Sequence, residues 1–340
     1  MDRIFVSIAS YRDNRCPTTL NSLFKNAKNP ERIYVGICQQ NKPGDIECVS
    51  LKDPLVQKYI SQIRIKKLSS DDAKGPTLAR YICSKLWNGE EYYLQIDSHT
   101  LLVKDWDEKL KNMVNKKGKA VISHYPPAIE EYDSNKKSTN VPRICRAFFN
   151  ERGMISFEGA EVLETNDELI QVPYIAAGLF FCKSDFLKEL PFDPDLPYLF
   201  VGEEILLSIR FWTNGWDIYT PSENIVYHYY TRSEEPKIWT DKKYTDEDAH
   251  NKVKEIIGII NGNKNHEYGL GNIRKLEDYY KFAGIDINSK TVSKDFCRKE
   301  NSTNKYRYGY GISISLIVLA LCIIIILMYV FRNKLKKIFL

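Results

Sequence analysis

Up to His124 the chain alternates short strand-like runs with helical segments, and this alternation constrains the fold more than any other feature. Apolar runs of strand length lie at Ile4–Ile8, Arg32–Gln39, Ile63–Lys67, Tyr92–Ile96 and Ala120–His124. Helical patterns lie at Thr18–Asn26, Leu55–Ile60, Thr77–Leu86 and Asp105–Asn115. Strands joined through helices predict a mostly parallel sheet with ligand at its carboxyl edge. At 340 residues the chain can bury a substantial core in one large domain. Asn150-Glu151-Arg152-Gly153 predicts a turn before Ile155-Ser156-Phe157. Tyr125–Asn140, with two prolines and many polar residues, predicts a surface loop. There is no internal repeat.

The run Tyr92–Ile96 leads straight into Asp97-Ser98-His99. On extended backbone the carboxylate and imidazole would point to one face. Oxygen and imidazole donors suit a divalent cation, Mn²⁺ first and Mg²⁺ as the alternative. The plainer explanation is an Asp opening a turn beside a surface His. A second set of signals follows about a hundred residues on. Ala176-Ala177-Gly178-Leu179-Phe180-Phe181 is a small-residue turn entering an apolar run. Gly202-Glu203-Glu204 opens an amphipathic helix, Asn214-Gly215-Trp216-Asp217-Ile218-Tyr219 predicts a turn and strand, and Val226-Tyr227-His228-Tyr229-Tyr230 follows.

The order of these parts resembles the polypeptide N-acetylgalactosaminyltransferases, which carry an acid-Ser-His triplet, a Gly-Gly-Leu-Phe turn, a Gly-Gly-Glu-Asn helix start and a late metal-binding histidine. This chain departs from them at Ala177-Gly178 and at Val201-Gly202-Glu203-Glu204. A closer resemblance begins at Ile4-Phe5-Val6-Ser7-Ile8-Ala9-Ser10-Tyr11-Arg12-Asp13 and continues through Cys16-Pro17-Thr18-Thr19-Leu20, Asn29–Ile37 and Leu94–His99. These residues look like the glycosyltransferase family typified by the cytoplasmic enzyme that adds N-acetylglucosamine to hydroxyproline. The resemblance covers about residues 1–290.

It implies a GT-A glycosyltransferase fold, a Rossmann-like mixed sheet flanked by helices, over residues 1–288. It also implies a UDP-sugar donor, UDP-N-acetylglucosamine above all, and a protein hydroxyl acceptor (hydroxyproline, Ser or Thr) reached with retention of configuration. By the same resemblance His228 joins Asp97 and His99 as a metal ligand, and Glu203 contacts the donor sugar and carries catalysis. Gly178 lets the chain approach that sugar closely. Ser10, Tyr11 and Arg12 lie where uridine docks, and Arg80 faces the diphosphate. Each has a plainer explanation: His228 packed among tyrosines, Glu203 favouring a helix amino terminus, Gly178 as an ordinary turn glycine, and Arg80 as a solvated helix arginine. Two other functions stay open, a transferase extending a glycan and a membrane-tethered, non-catalytic protein that binds sugar nucleotides or glycans.

Composition sets further limits. The formal charge is +5, but Arg332, Lys334, Lys336 and Lys337 supply most of the excess in an acid-free tail. No electrostatic grip on nucleic acid is expected. The eight cysteines (Cys16, Cys38, Cys48, Cys83, Cys145, Cys182, Cys297, Cys322) contain no C-x-x-C pair, and their scatter suggests buried thiols of a reducing compartment. Trp106 and Trp216 suit the core or an acceptor wall, while His124, His250 and His266 have no ligand context. No signal peptide is expected, because the apolar run at Ile4 is too short. Residues 289–310 turn polar and basic and predict a linker, with Asn301-Ser302-Thr303 as a sequon unused in the cytosol. Residues 311–331 carry no charge and would span about 31 Å as a helix, enough for one transmembrane pass. With residues 332–340 as a basic tail, the expectation is a single-pass carboxyl-terminal anchor with a cytosolic catalytic domain.

Overall fold

The computed structural model describes residues 2–232, 235–263 and 266–298. An eight-stranded sheet runs in the spatial order Ile170–Val172, Asp217–Thr220, Ala120–Ser123, Leu179–Lys183, Tyr92–Asp97, Ile4–Tyr11, Ile33–Asn41, Ile63–Ser69. The last four are mutually parallel, whereas Leu179–Lys183 runs antiparallel to both of its neighbours. The mostly parallel sheet expected from the alternation is present, with mixed strands supplied by the second half of the chain.

Side-chain alternation explains why the register is firm. Ile4, Val6 and Ile8 pack on one face with Leu20, Leu23 and Trp106, while Phe5 packs on the other with Tyr93 and Phe180. Fully burying such a side chain is worth about 1.5–3 kcal/mol, and a one-residue slip would exchange the two faces. Each predicted strand and helix in the first half exists, with ends shifted by a few residues. The first strand runs on to Tyr11 because Ser10 and Tyr11 still pair with Gln39 and Gln40. Trp106 and Trp216 are both core residues, their indole nitrogens donating to the Leu23 carbonyl and the Glu189 carboxylate.

Three expectations need correction. The stretch 125–140 is exposed only in its later part; Pro126 and Pro127 are buried, and the Pro127 carbonyl accepts the His228 amide at 3.0 Å. A proline pair whose carbonyl still bonds a neighbouring strand forms a wall here, not a loop. Residues 289–298, expected to open the linker, continue the fold. Thr291–Val292 pairs with Ile285–Asp286, and Phe296 donates its amide to the Cys145 carbonyl.

The cysteines are the third correction. Cys16 pairs with Cys48 and Cys145 with Cys297 as disulfides, their Cα atoms 4.8 and 5.1 Å apart. Cys38, Cys83 and Cys182 are buried thiols, as expected. Separations of 32 and 152 residues leave no local spacing to read. The first pair forms because the first two strands lie side by side, which carries the loop after Asn41 onto the start of the helix Cys16–Asn26. The transmembrane segment and basic tail lie outside the described residues. Among the described residues no helix is long and apolar enough to cross a membrane.

Candidate functional site

The carboxyl ends of the parallel strands open into a cavity of about 600 Å³. Asp97 is the last residue of its strand, and the chain bends at Ser98-His99 before the short strand Thr100–Leu102. The triplet is therefore not a continuous extended segment, and the bend brings its two ligand groups together. Thr100–Leu102 pairs antiparallel with Val226–His228, setting His228 opposite Thr100. The rings of His99 and His228 lie 4.6 Å apart, and Nε2 of His228 is 3.3 Å from Oδ2 of Asp97. Ligand atoms of Asp97, His99 and His228 all fall within 4.8 Å of one another. One carboxylate oxygen and two imidazole nitrogens at this spacing fit a divalent cation. A second grouping, Cys145, Glu161 and Cys297, offers no thiolate because its sulfurs are joined to each other.

Asp13, just beyond the first strand, organises the triplet. It is buried, and its Oδ2 accepts Ser98 Oγ at 2.6 Å and His99 Nδ1 at 2.6 Å. That bond fixes the His99 ring with Nε2 toward the cavity, the support metal-binding histidines need. Burial would raise the Asp13 carboxyl, but its bond to His99 and the charges around it bring it down to about 2. Burial acts the same way on Asp97, and hydrogen bonding to His228 with the charge of Arg80 holds it far below the usual carboxylate range. Both groups are anionic at neutral pH.

Opposite the triplet, Gly202 takes a left-handed conformation (φ +108°) and starts the helix Glu203–Thr213. Glu203 is buried beside the cavity, one oxygen paired with Arg80 and the other, Oε1, without a hydrogen-bond partner among the described residues. Arg80, from the helix Pro76–Ser84, also donates to Asp97 Oδ1 at 3.1 Å. Its guanidinium is thus held between two carboxylates. Burial raises the Glu203 carboxyl above its ordinary value, opposed by Arg80. Glu204 Oε1 accepts the Ala177 amide at 3.0 Å and its Oε2 accepts the Tyr125 hydroxyl at 2.7 Å. Burial pushes Glu204 up to about 7. Through Ala177 it braces the turn at Gly178, where a Cβ would lie 2.7 Å from Asp97 Oδ2.

Of the residues expected at the nucleotide, Tyr11 lines the cavity and donates to Asp241 at 2.9 Å. Arg12 is clamped between Asp45 and Asp241, at 2.8 Å from each, and Ser10 is buried; neither lines the cavity. Neither Asp13 nor Arg232 is among the residues expected at the site from the sequence. Arg232 lines the cavity, donates to His99 Nε2 at 3.2 Å and sits 3.4 Å from Asp13 Oδ2. Glu235 accepts from Arg232 and forms an ion pair with Arg15. No local pattern around Arg232 signals this placement, whereas Asp13 closes the run Ile4–Asp13 that carries the family resemblance.

Known proteins give a consistent comparison. The model of the family described as Glycosyltransferase (GlcNAc) matches residues 3–62 and 51–289. No curated protein sequence matches the chain. Among solved structures, GalNAc-T7 with UDP, GalNAc and Mn²⁺ superposes with a TM-score of 0.56 at 16% identity, over 82% of this chain and 54% of that one. The chain therefore spans about half the length of that protein. S. aureus TarS 1–349 in complex with UDP-GlcNAc gives a TM-score of 0.50 at 14% identity, over 83% of this chain and 70% of that one. At such identities the likeness is one of fold.

Proposed function

Because the chain belongs to the Glycosyltransferase (GlcNAc) family, we propose that it transfers N-acetylglucosamine from UDP-N-acetylglucosamine to a protein hydroxyl, with Mn²⁺ as its cofactor and with retention of configuration. The observation that carries this reading is the cluster of Asp97, His99 and His228 ligand atoms within 4.8 Å, in the same cavity as the unpaired Oε1 of Glu203. A divalent cation held by these three side chains would neutralise the charge that builds on a departing diphosphate. Asp13 keeps the His99 ring turned for that task. Glu203 Oε1 accepts a hydroxyl of the donor sugar, Gly178 gives that sugar room, and Tyr11 flanks the nucleotide. Arg80 acts indirectly, holding Glu203 and Asp97 in place and tempering their mutual repulsion. In the transfer the acceptor oxygen bonds to the anomeric carbon as the carbon–diphosphate bond breaks. UDP leaves with the electron pair and the hydroxyl proton is released.

The apolar stretch 311–331 is proposed to anchor the enzyme to a membrane. The paired cysteines favour an oxidising compartment for the catalytic domain over the cytosol. The test is UDP release from a panel of UDP-sugars with Mn²⁺, repeated in EDTA. UDP-N-acetylglucosamine should be used fastest, and activity should vanish in chelator and return with added metal. Undiminished turnover in chelator would sink the metal reading, and preference for another UDP-sugar the donor assignment.

A further inference from the structure

Four of the eleven large apolar side chains left exposed among the described residues gather at one place. Phe200 (58% exposed), Val201 (37%), Tyr230 (55%) and Trp239 (52%) all border the cavity that holds Asp97 and Glu203. They come from two separate segments. Phe200 and Val201 immediately precede Gly202-Glu203, whereas Tyr230 and Trp239 follow His228. The Phe200 and Trp239 rings meet with centroids 5.5 Å apart and planes at 54°. Aromatic rings held open to water at a cavity mouth mark a surface that a ligand covers. Donor and metal ligands occupy the interior, so the partner entering across this rim is the acceptor.

The wall beside the rim has a second feature. Ile155, Ser156 and Phe157 line the same cavity as a short strand. One edge of that strand pairs with Ala147–Phe149, and no strand among the described residues pairs with the other. An open strand edge offers backbone donors and acceptors to an extended chain. Several polar side chains beside the rim are already engaged. The Tyr230 hydroxyl donates to the Pro126 carbonyl at 2.8 Å, the Ser156 hydroxyl accepts from Asn150 at 3.1 Å, and Glu204 is held by Tyr125 and Ala177. A sugar ring, bearing hydroxyls on most carbons, would find these three groups taken. A peptide backbone with an apolar side chain matches both the strand edge and the rings.

We propose that the Phe200–Trp239 rim and the open edge of Ile155–Phe157 form the acceptor subsite for an extended polypeptide whose hydroxyl residue is flanked by an apolar residue. This rests on the transferase reading above. The test uses the full chain with UDP-N-acetylglucosamine and synthetic peptides carrying Ser, Thr or hydroxyproline, flanked by Val, Pro or Phe in one set and by Asn or Glu in another. Apolar-flanked peptides should be preferred. Trp239→Ala and Phe200→Ala should each raise the peptide KM roughly tenfold, the scale of a truncated interface anchor. The KM for UDP-N-acetylglucosamine should move little, and Trp239→Phe should restore most of the peptide affinity. An unchanged peptide KM in both variants, or free oligosaccharides as better acceptors with the same dependence on Trp239, would overturn the subsite. A wild-type enzyme that releases no UDP from any UDP-sugar would remove the transferase reading itself, a failure visible before any peptide is added.

Discussion

The guanidinium of Arg232 lies 3.2 Å from Nε2 of His99, the ring nitrogen left open once Nδ1 has bonded to Asp13. A cation ligated by His99 must use that same lone pair, so Arg232 and a metal compete for it. Arg232→Ala should therefore tighten Mn²⁺ binding measured without nucleotide by titration calorimetry or by the paramagnetic resonance of free ion. A unit charge and a divalent ion 4 Å apart repel by roughly 2 kcal/mol even in water, about thirtyfold in affinity. An unchanged or weakened affinity would mean that Arg232 does not obstruct the metal.

Glu203→Gln preserves size while removing the charge that faces Arg80. Transfer should fall by about tenfold to over a hundredfold, since a charge-assisted hydrogen bond is worth roughly 1.5–3 kcal/mol. UDP affinity, read by calorimetry, should be retained. Equal loss of UDP affinity would move Glu203 from the sugar to the nucleotide or the metal.

The half-buried carboxyl of Glu204 makes stability depend on pH. Its carboxyl is raised to about 7 from an ordinary 4.5. Below pH 4.5 it is protonated both folded and unfolded, so its ionisation costs the fold nothing. As pH rises from about 4.5 to about 7 the unfolded chain ionises first, and stability is lost across that window. Glu204→Gln, which cannot ionise, should gain on the wild type by several degrees in thermal midpoint over the same interval. Parallel curves for the two proteins would show that Glu204 keeps an ordinary pKa.

Peptide mapping without reduction should recover Cys16 joined to Cys48 and Cys145 joined to Cys297. Each tie is worth about 2–4 kcal/mol, so dithiothreitol should lower the thermal midpoint markedly. Free thiols at all four positions in active protein would restore the reducing-compartment expectation.

What the sequence revealed follows from the range of each interaction. Strands and helices such as Ile4–Tyr11 and Pro76–Ser84 are specified by neighbouring residues, so periodicity alone located them. Asp97 stood out because its triplet closes an apolar run. Gly178, Glu203 and His228 were found through the order of motifs, since nothing in a glycine turn or an aromatic-flanked histidine names its partner. The Asp13–His99 and Arg232–His99 contacts span 86 and 133 residues and exist only once the sheet is assembled. The same holds for both disulfides and for the Arg80 guanidinium, whose two carboxylate partners come from a strand end and a helix start.

The absent side chain at Gly178 limits how this site could be re-engineered or could diverge. A Cβ there would press on Asp97 Oδ2 at 2.7 Å, so any replacement must move a carboxylate of the metal cluster before it can reshape the sugar's surroundings. Position 178 and the triplet are one inheritance unit. Variation in which sugar is accepted is left to parts of the cavity wall that can change without disturbing Asp97, and a library aimed at new donors should leave position 178 alone.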